Sequence, residues 1–278
     1  MKDDLGERMK ENYEKRSRNY LTRRIPVIIR IDGKCFSSFC KRFEKPYDKL
    51  LNDSLNGVMQ FLCENIQGAK FAERHSDEIS ILVTDYDSIG TDCWFDYNVQ
   101  KMCSVSASMA TAEFCRKLIY YSKEPWMFGV DTGDEDLNTD FLDFNEPWPN
   151  FDSRCFNLPE NEIANYFWWR MLDAKRSSIN MVAQCNFSHK SLQGLSCDEM
   201  QEKLWQEKQI NWAKLPQGQK IGFICQKQKI MKPIPKGPKK GEMVERNIWT
   251  IEGSPSSKTE LDEKISSIKF YGGDEQSV

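Results

Sequence analysis

Apolar positions recur along this chain with two periods. Pro26 to Ile31 (PVIIRI) is a short continuous apolar run closed by Asp32-Gly33, which predicts a buried strand. Between Tyr47 and Ile66 the apolar residues fall at 51, 55, 58, 59, 62 and 66, the stripe of a helix. Ala69 to Glu73 and Glu78 to Val83 (EISILV) are strand-like. The four residues between them, Arg74-His75-Ser76-Asp77, predict a β-hairpin. Val99, Met102, Cys103, Ser106, Met109, Ala110 and Phe114 mark a second helix. A Gly/Asp-rich loop is expected over 129–150, and Phe151 to Leu158 reads as a fourth strand.

The resulting order, β-α-β-β-α-β, predicts an α+β fold of the split-βαβ, ferredoxin-like kind, a sheet with helices on one face. Polymerase palms and nucleotide cyclases share this topology. A polar helix over 5–20 precedes it. After it come a helix from Glu160 to about Asn186 and another from Ser196 to about Glu207, with Ser196 and Glu199 spaced as a capping box. Residues 219–250 predict two strands, GFICQKQKI and EMVERNIWTI, joined by the basic Pro/Gly loop Lys232 to Gly241. The expected division is a palm-like catalytic domain with its leading helix at 1–158, a helical and β-hairpin region at 159–252, and a flexible Ser/Gly/charged tail at 253–278.

Composition narrows the class. Ten cysteines are scattered through 278 residues with no Cys-x-x-Cys pair, and the histidines are only His75 and His189. Both facts argue against a structural zinc site and for reduced thiols in a cytoplasmic protein. The charged N-terminus lacks the apolar core of a signal peptide, and no run of about 18 apolar residues exists to cross a membrane. The formal net charge is −3, yet positive charge clusters at Lys15, Arg16, Arg18, Arg23 and Arg24. It clusters again at Lys227, Lys229, Lys232, Lys236, Lys239 and Lys240, in and around the basic loop, where phosphates could be met.

The candidate chemistry lies in carboxylates. Asp32 ends the first strand, and Asp77-Glu78 stands at the hairpin whose second strand should lie beside it. Acids at such adjoining ends converge, and a pair of aspartates can bridge two Mg²⁺ ions about 3.5–4 Å apart. Alternation along a strand prevents Asp77 and Glu78 from both facing the metals. Asp77 is therefore the expected ligand and Glu78 a catalytic support. Gly33 allows close approach of backbone to metal or phosphate, and Lys34, Cys35, Phe36 and Ser37 could offer N–H groups to a triphosphate. The rings of Phe36 and Phe39 are expected in the core. Lys45 and Lys101 are candidate phosphate contacts. Up to this point a palm-fold nucleotide cyclase or cyclic-dinucleotide synthase, and a catalytically inactive RNA-binding palm, fit as well.

RIDGKCFSSF at 30–39, FEKPYDKLL at 43–51 and HSDEISILV at 75–83 together resemble the tRNA-His guanylyltransferase family, with weaker echoes in FDSR at 151–154 and from Tyr166 to Asp173. The resemblance implies a 3′–5′ polymerase with a palm fold, common as a tetramer, that activates a tRNA 5′-monophosphate with ATP before the 3′-hydroxyl of GTP attacks. It implies Asp32, Asp77 and the Gly33 carbonyl as ligands of two Mg²⁺ ions. Asp32 to Ser37 with Ser76 and Asp77 would form the nucleotide pocket, and Lys45 and Lys101 would hold the triphosphate. Members that extend tRNA-His carry His-Ile-Asn-Asn-Leu-Tyr-Asn after the aspartate that corresponds to Asp173, where this chain reads DAKRSSINMVAQ over 173–184, with no histidine. That departure resembles the branch that repairs truncated tRNA 5′ ends by templated addition. Arg154, Lys175, Arg176, Lys236, Lys239 and Lys240 are the expected tRNA contacts.

Overall fold

The computed structural model describes residues 4–123, 148–236 and 239–268. The chain enters through helix α1 (Asp4–Met9), whose helical path continues to Ser17. Strand β1 (Val27–Lys34) follows, then the single helical turn α2 (Phe36–Phe39) and helix α3 (Lys49–Asn65). Asp48 caps α3, accepting from the Leu51 N–H at 2.8 Å, which ends the preceding loop at a defined residue. Strands β2 (Ala69–His75) and β3 (Glu78–Val83) form the hairpin, and helix α4 (Val99–Lys123) and strand β4 (Asn150–Asn157) complete the order expected. The Gly/Asp-rich loop at 129–150 lies outside the described residues except for its last three.

Helix α5 (Ile163–Asn186), the turn α6 (His189–Leu192), helix α7 (Cys197–Lys208) and the short α8 (Gln217–Ile221) lead to the long strands β5 (Phe223–Pro233) and β6 (Met243–Gly253). The capping box at Ser196 and Glu199 is formed, both of its bonds being present. All six strands join one antiparallel sheet in the order β4-β1-β3-β2-β5-β6. β1 and β3 are neighbours, with Ile31 opposite Ile79. The division expected at 158 is not a break in the sheet, because Phe223–Gln226 of β5 pair with Phe71–Arg74 of β2. Beyond Gln226 the β5–β6 ribbon runs on without β2.

Alternation along the strands sorts side chains to two faces. Val27, Ile29 and Ile31 pack with α3 and α4, around an aromatic cluster of Phe36, Phe39, Phe114 and Phe151 whose ring centres stand 5.0–5.9 Å apart. Ile28, Phe71, Leu82 and Ile224 pack against α5 on the other face. The tail expected from residue 253 is overturned over much of its length. Lys258–Ser266 form helix α9, capped by Ser257, whose hydroxyl accepts from the Glu260 N–H. Leu261 and Ile265, one turn apart, bury themselves beside α5. Two apolar residues at i and i+4 were enough to dock a segment that is otherwise polar.

Because Leu261 is fully buried, Leu261→Ala should lower the unfolding free energy by about 2–5 kcal/mol, read from denaturant midpoints. An unchanged midpoint would mean that α9 contributes nothing to the fold.

Candidate active site

The turn between β2 and β3 sets the site. His75 pairs with Glu78, leaving Ser76 and Asp77 as a two-residue loop, with Ser76 in the left-handed region at φ 48°. A buried arginine holds this loop from the α3 side. Arg74 donates to the Ser76 carbonyl (2.7 Å), to Asn56 Oδ1 (2.9 Å) and to Asn52 Oδ1 (3.1 Å). Burial pushes its guanidinium down to about 10, and the face of Phe223 lies 4.9 Å from it.

Glu78 is gripped from the opposite face of the sheet. Arg170 of α5 donates to it through Nε (2.6 Å) and Nη2 (2.9 Å), and Arg30 of β1 pairs with it as well. Burial raises the Glu78 carboxyl above its usual range, against the opposing pull of His75, Arg170 and Arg30. Both its oxygens are thus engaged by arginines. The expected catalytic support is a structural one: Glu78 anchors the turn to α5 and does not face the Asp77 carboxylate. Around it His75 lies 3.1 Å from Glu73 and 3.3 Å from Arg170, and Arg170 also meets Asp173 at 3.0 Å.

Asp77 lies against the end of β1. A Cβ on Gly33 would fall 2.6 Å from Asp77 Oδ2 and 2.2 Å from the Phe36 ring, so only glycine permits this approach. Ser76 Oγ donates to Asp77 Oδ1 at 2.8 Å. Burial raises the Asp77 carboxyl, the Ser76 hydroxyl opposes this, and the nearby charge of Asp32 raises it further. Two acids from adjoining strand ends therefore share one locality, as the β1–β3 pairing requires. Asp152 stands opposite Asp32 across the β1–β4 ladder, and Arg154 bridges the two, 3.0 Å from Asp152 and 3.8 Å from Asp32. The run FDSR held this third acid and its counter-charge, but only the strand register shows that they face Asp32.

Beyond Asp77 opens a cleft of about 290 Å³, lined among others by Phe36, Ser37, Lys45, Tyr47, Ser76 and Ser178. The loop carrying Lys45 is tied down at its next aromatic residue. Tyr47 Oη donates to the Gln219 carbonyl (2.6 Å) and lies 2.7 Å from Ser178 Oγ, which accepts from Trp212 Nε1 at 2.9 Å. Left-handed Cys35 (φ 59°) turns the chain from β1 into α2, and the N–H groups of Phe36 and Ser37, in the first turn, stay outside the helical ladder. The Phe36 ring itself is core, 3 % exposed. Lys34 and Cys35 are exposed and are not among the residues that line the cleft.

Lys101 does not join this group. It sits in the first turn of α4 with its ammonium 5.4 Å from the Phe95 ring, in a separate depression with Arg18, Tyr20 and Asn98. The part of α4 near Gly33 is Thr111, whose hydroxyl accepts from the N–H of Phe151, the partner of Gly33. Ten residues of helix, roughly 15 Å, separate Lys101 from that point. Lys175 and Arg176 are exposed on α5, and Lys236, Lys239 and Lys240 lie at the far end of the β5–β6 ribbon.

An acid pair on an antiparallel sheet, beside a cleft with a lysine and backbone donors, is the arrangement of a nucleotidyltransferase. The model of the family described as Thg1, tRNAHis guanylyltransferase, matches residues 6–159, and the chain belongs to that family. Among solved structures it resembles a bacterial tRNA(His) guanylyltransferase (Thg1)-like protein in complex with GTP, at 36 % identity over 95 % of this chain and 98 % of that one, with a TM-score of 0.73. A bacterial Thg1-like protein in complex with ATP shares 41 % identity over 86 % of this chain and 91 % of that one, with a TM-score of 0.69. The tRNA(His) guanylyltransferase of Saccharomyces cerevisiae is 27 % identical over 71 % of this chain and 81 % of its own length.

Gly33→Ala tests the close approach. The added methyl must displace either the Asp77 carboxylate or the Phe36 ring, and nucleotidyl transfer should fall by about 10²-fold or more, as for a misplacement of about 1 Å. Full activity in a folded Gly33→Ala protein would show that the approach of the two chains is incidental.

Proposed function

We propose that this protein adds nucleotides, GTP by preference, to the 5′ end of tRNA in the 3′–5′ direction, repairing truncated ends after ATP-dependent activation. The observation that carries the reading is the nearness of Asp32 and Asp77 at adjoining strand ends, with Asp77 lining the Lys45 cleft. Bacterial relatives seen with ATP and with GTP support the choice of nucleotides. The strand order β4-β1-β3-β2 supports a palm-type scaffold. The KRSSINM sequence that follows Ala174 supports the repair branch over strict tRNA-His addition.

The residues present fit Mg²⁺. Among the described residues no group of three or more His, Cys, Asp or Glu side chains forms a closed cage. An open pair of carboxylates suits an ion that keeps waters and completes its shell with substrate phosphates. Asp32, Asp77 and the Gly33 carbonyl would hold it, and its positive charge would relieve the mutual repulsion of the two acids. When bound there, it supplies a lowered pKa for an attacking hydroxyl and neutralisation of the triphosphate. The chain does the rest. Lys45 reaches the phosphates as a mobile point charge, Ser37 and the α2 N–H groups orient them, and Glu78 holds the turn that aims Asp77. On the RNA side, Arg154, Lys175, Arg176 and the ribbon lysines Lys236, Lys239 and Lys240 are read as backbone contacts. A cytoplasmic homo-tetramer is the expected working form.

Incubation with labelled GTP, ATP, Mg²⁺ and a tRNA lacking its first nucleotide should give a chain one residue longer. Asp32→Ala or Asp77→Ala should lower turnover by about 10³-fold or more while the protein stays folded. Near-normal turnover of either variant would sink the assignment, and a cyclic product from GTP alone would point to a cyclase.

Lys45→Ala should raise the KM for the nucleotide, a charged hydrogen bond contributing about 1.5–3 kcal/mol, and leave tRNA affinity unchanged. If tRNA affinity fell and the KM held, Lys45 would belong to the RNA surface.

A further inference from the structure

Trp169 is 52 % exposed and Leu172 is 47 % exposed on α5. With Arg176, whose side chain is 71 % accessible although it pairs with Asp173, they fall at i, i+3 and i+7 on one helix face. Isolated surface hydrophobics are ordinary. Trp169 differs in how firmly it is held. The Arg170 guanidinium carbon lies 4.4 Å from its ring centre, and the ring of Tyr166 meets it at 5.9 Å, inclined by 64°. Arg170 is in turn chelated to Glu78, the residue after Asp77. The indole is therefore ordered in advance relative to the acid pair, and its side-chain entropy is largely lost before any partner arrives.

The position relative to the cleft gives this platform its meaning. The α5 residues that line the cleft, Ala174, Ser177, Ser178 and Met181, are centred roughly 150° around the helix from the Trp169 face. A triphosphate in the cleft and a second reactant on the Trp169 face would approach the Asp32–Asp77 locality from different sides of α5. On the sheet Arg30, Asp32 and Arg154 stand on the face that α5 covers, Arg30 paired with Glu78 and the half-exposed Arg154 with Asp152 and Asp32. A flat π surface backed by a guanidinium, with arginines on either hand, matches a nucleobase followed by its phosphates. We propose that Trp169 is the stacking platform for the terminal nucleobase of the RNA acceptor end, a positioning residue that sets the 5′ phosphate before the acid pair. This inference rests on the RNA substrate proposed above.

The experiment uses the full chain with Mg²⁺ and a short RNA hairpin mimicking an acceptor stem, 5′-phosphorylated, with either a normal or an abasic 5′-terminal nucleotide. Trp169→Ala should weaken binding of the normal RNA by about 5- to 150-fold, the equivalent of ~1–3 kcal/mol for one stacked base. The abasic RNA should bind wild type and Trp169→Ala equally. Trp169→Phe should recover most of the affinity, and GTP binding should be the same in all three proteins. An abasic penalty undiminished in Trp169→Ala would overturn the proposal, because the base would then be read elsewhere. So would a variant that binds RNA normally but changes its oligomeric state on gel filtration, since a second copy of the chain would then cover the indole. If wild type binds neither RNA, the RNA reading itself fails first, and this one with it.

Discussion

Everything at the site depends on a two-residue turn gripped by a buried arginine from each face of the sheet. Arg74 reaches the Ser76 carbonyl from the α3 side, and Arg170 reaches Glu78 from the α5 side. Taking guanidinium groups out of water is costly, and acceptors placed around them offset the cost. Asn52 and Asn56 on one side, and Glu78 and Asp173 on the other, supply them. The turn can then carry a left-handed Ser76 and a partly buried Asp77, neither of which is a low-energy choice alone.

The same grip explains why the acids of the hairpin have separate duties. Glu78, inside the ladder, is neutralised by arginines and belongs to the scaffold. Asp77, one residue earlier and outside the ladder, faces Gly33 and accepts from the Ser76 hydroxyl. Alternation along β3 separates the two by direction, and the local charges complete the division. The adjoining cleft is built from loops and helices tied to this scaffold, through the contacts of Tyr47, Ser178, Gln219 and Trp212.

Much of this was legible in the pattern of residues. PVIIRI and EISILV announced buried strands because continuous apolar runs have few other uses, and the convergence of Asp32 with Asp77 followed from the strand order alone. Three things were not. The partners of Glu78 are Arg30 and Arg170, and nothing in the sequence tells a buried arginine from a solvated one. Lys101 was on the expected helix but at its far end, since periodicity identifies a helix without saying which end meets the site. α9 was hidden because Leu261 and Ile265 are only two apolar residues in a charged segment, and their value comes from the groove between α5 and the sheet that receives them.

The seat of α9 also orders the events of folding. Ile28 and Leu261 belong to one apolar cluster, yet nearly the whole chain separates them. During synthesis at about 5–20 residues per second, many seconds pass between the emergence of β1 and that of the helix that seals its α5 face. The β1–β4 sheet can pair in that interval while part of its underside stays open to water. The helix that closes this hydrophobic interior is made long after the strands it covers, so the nascent chain carries its strands before it has a finished core.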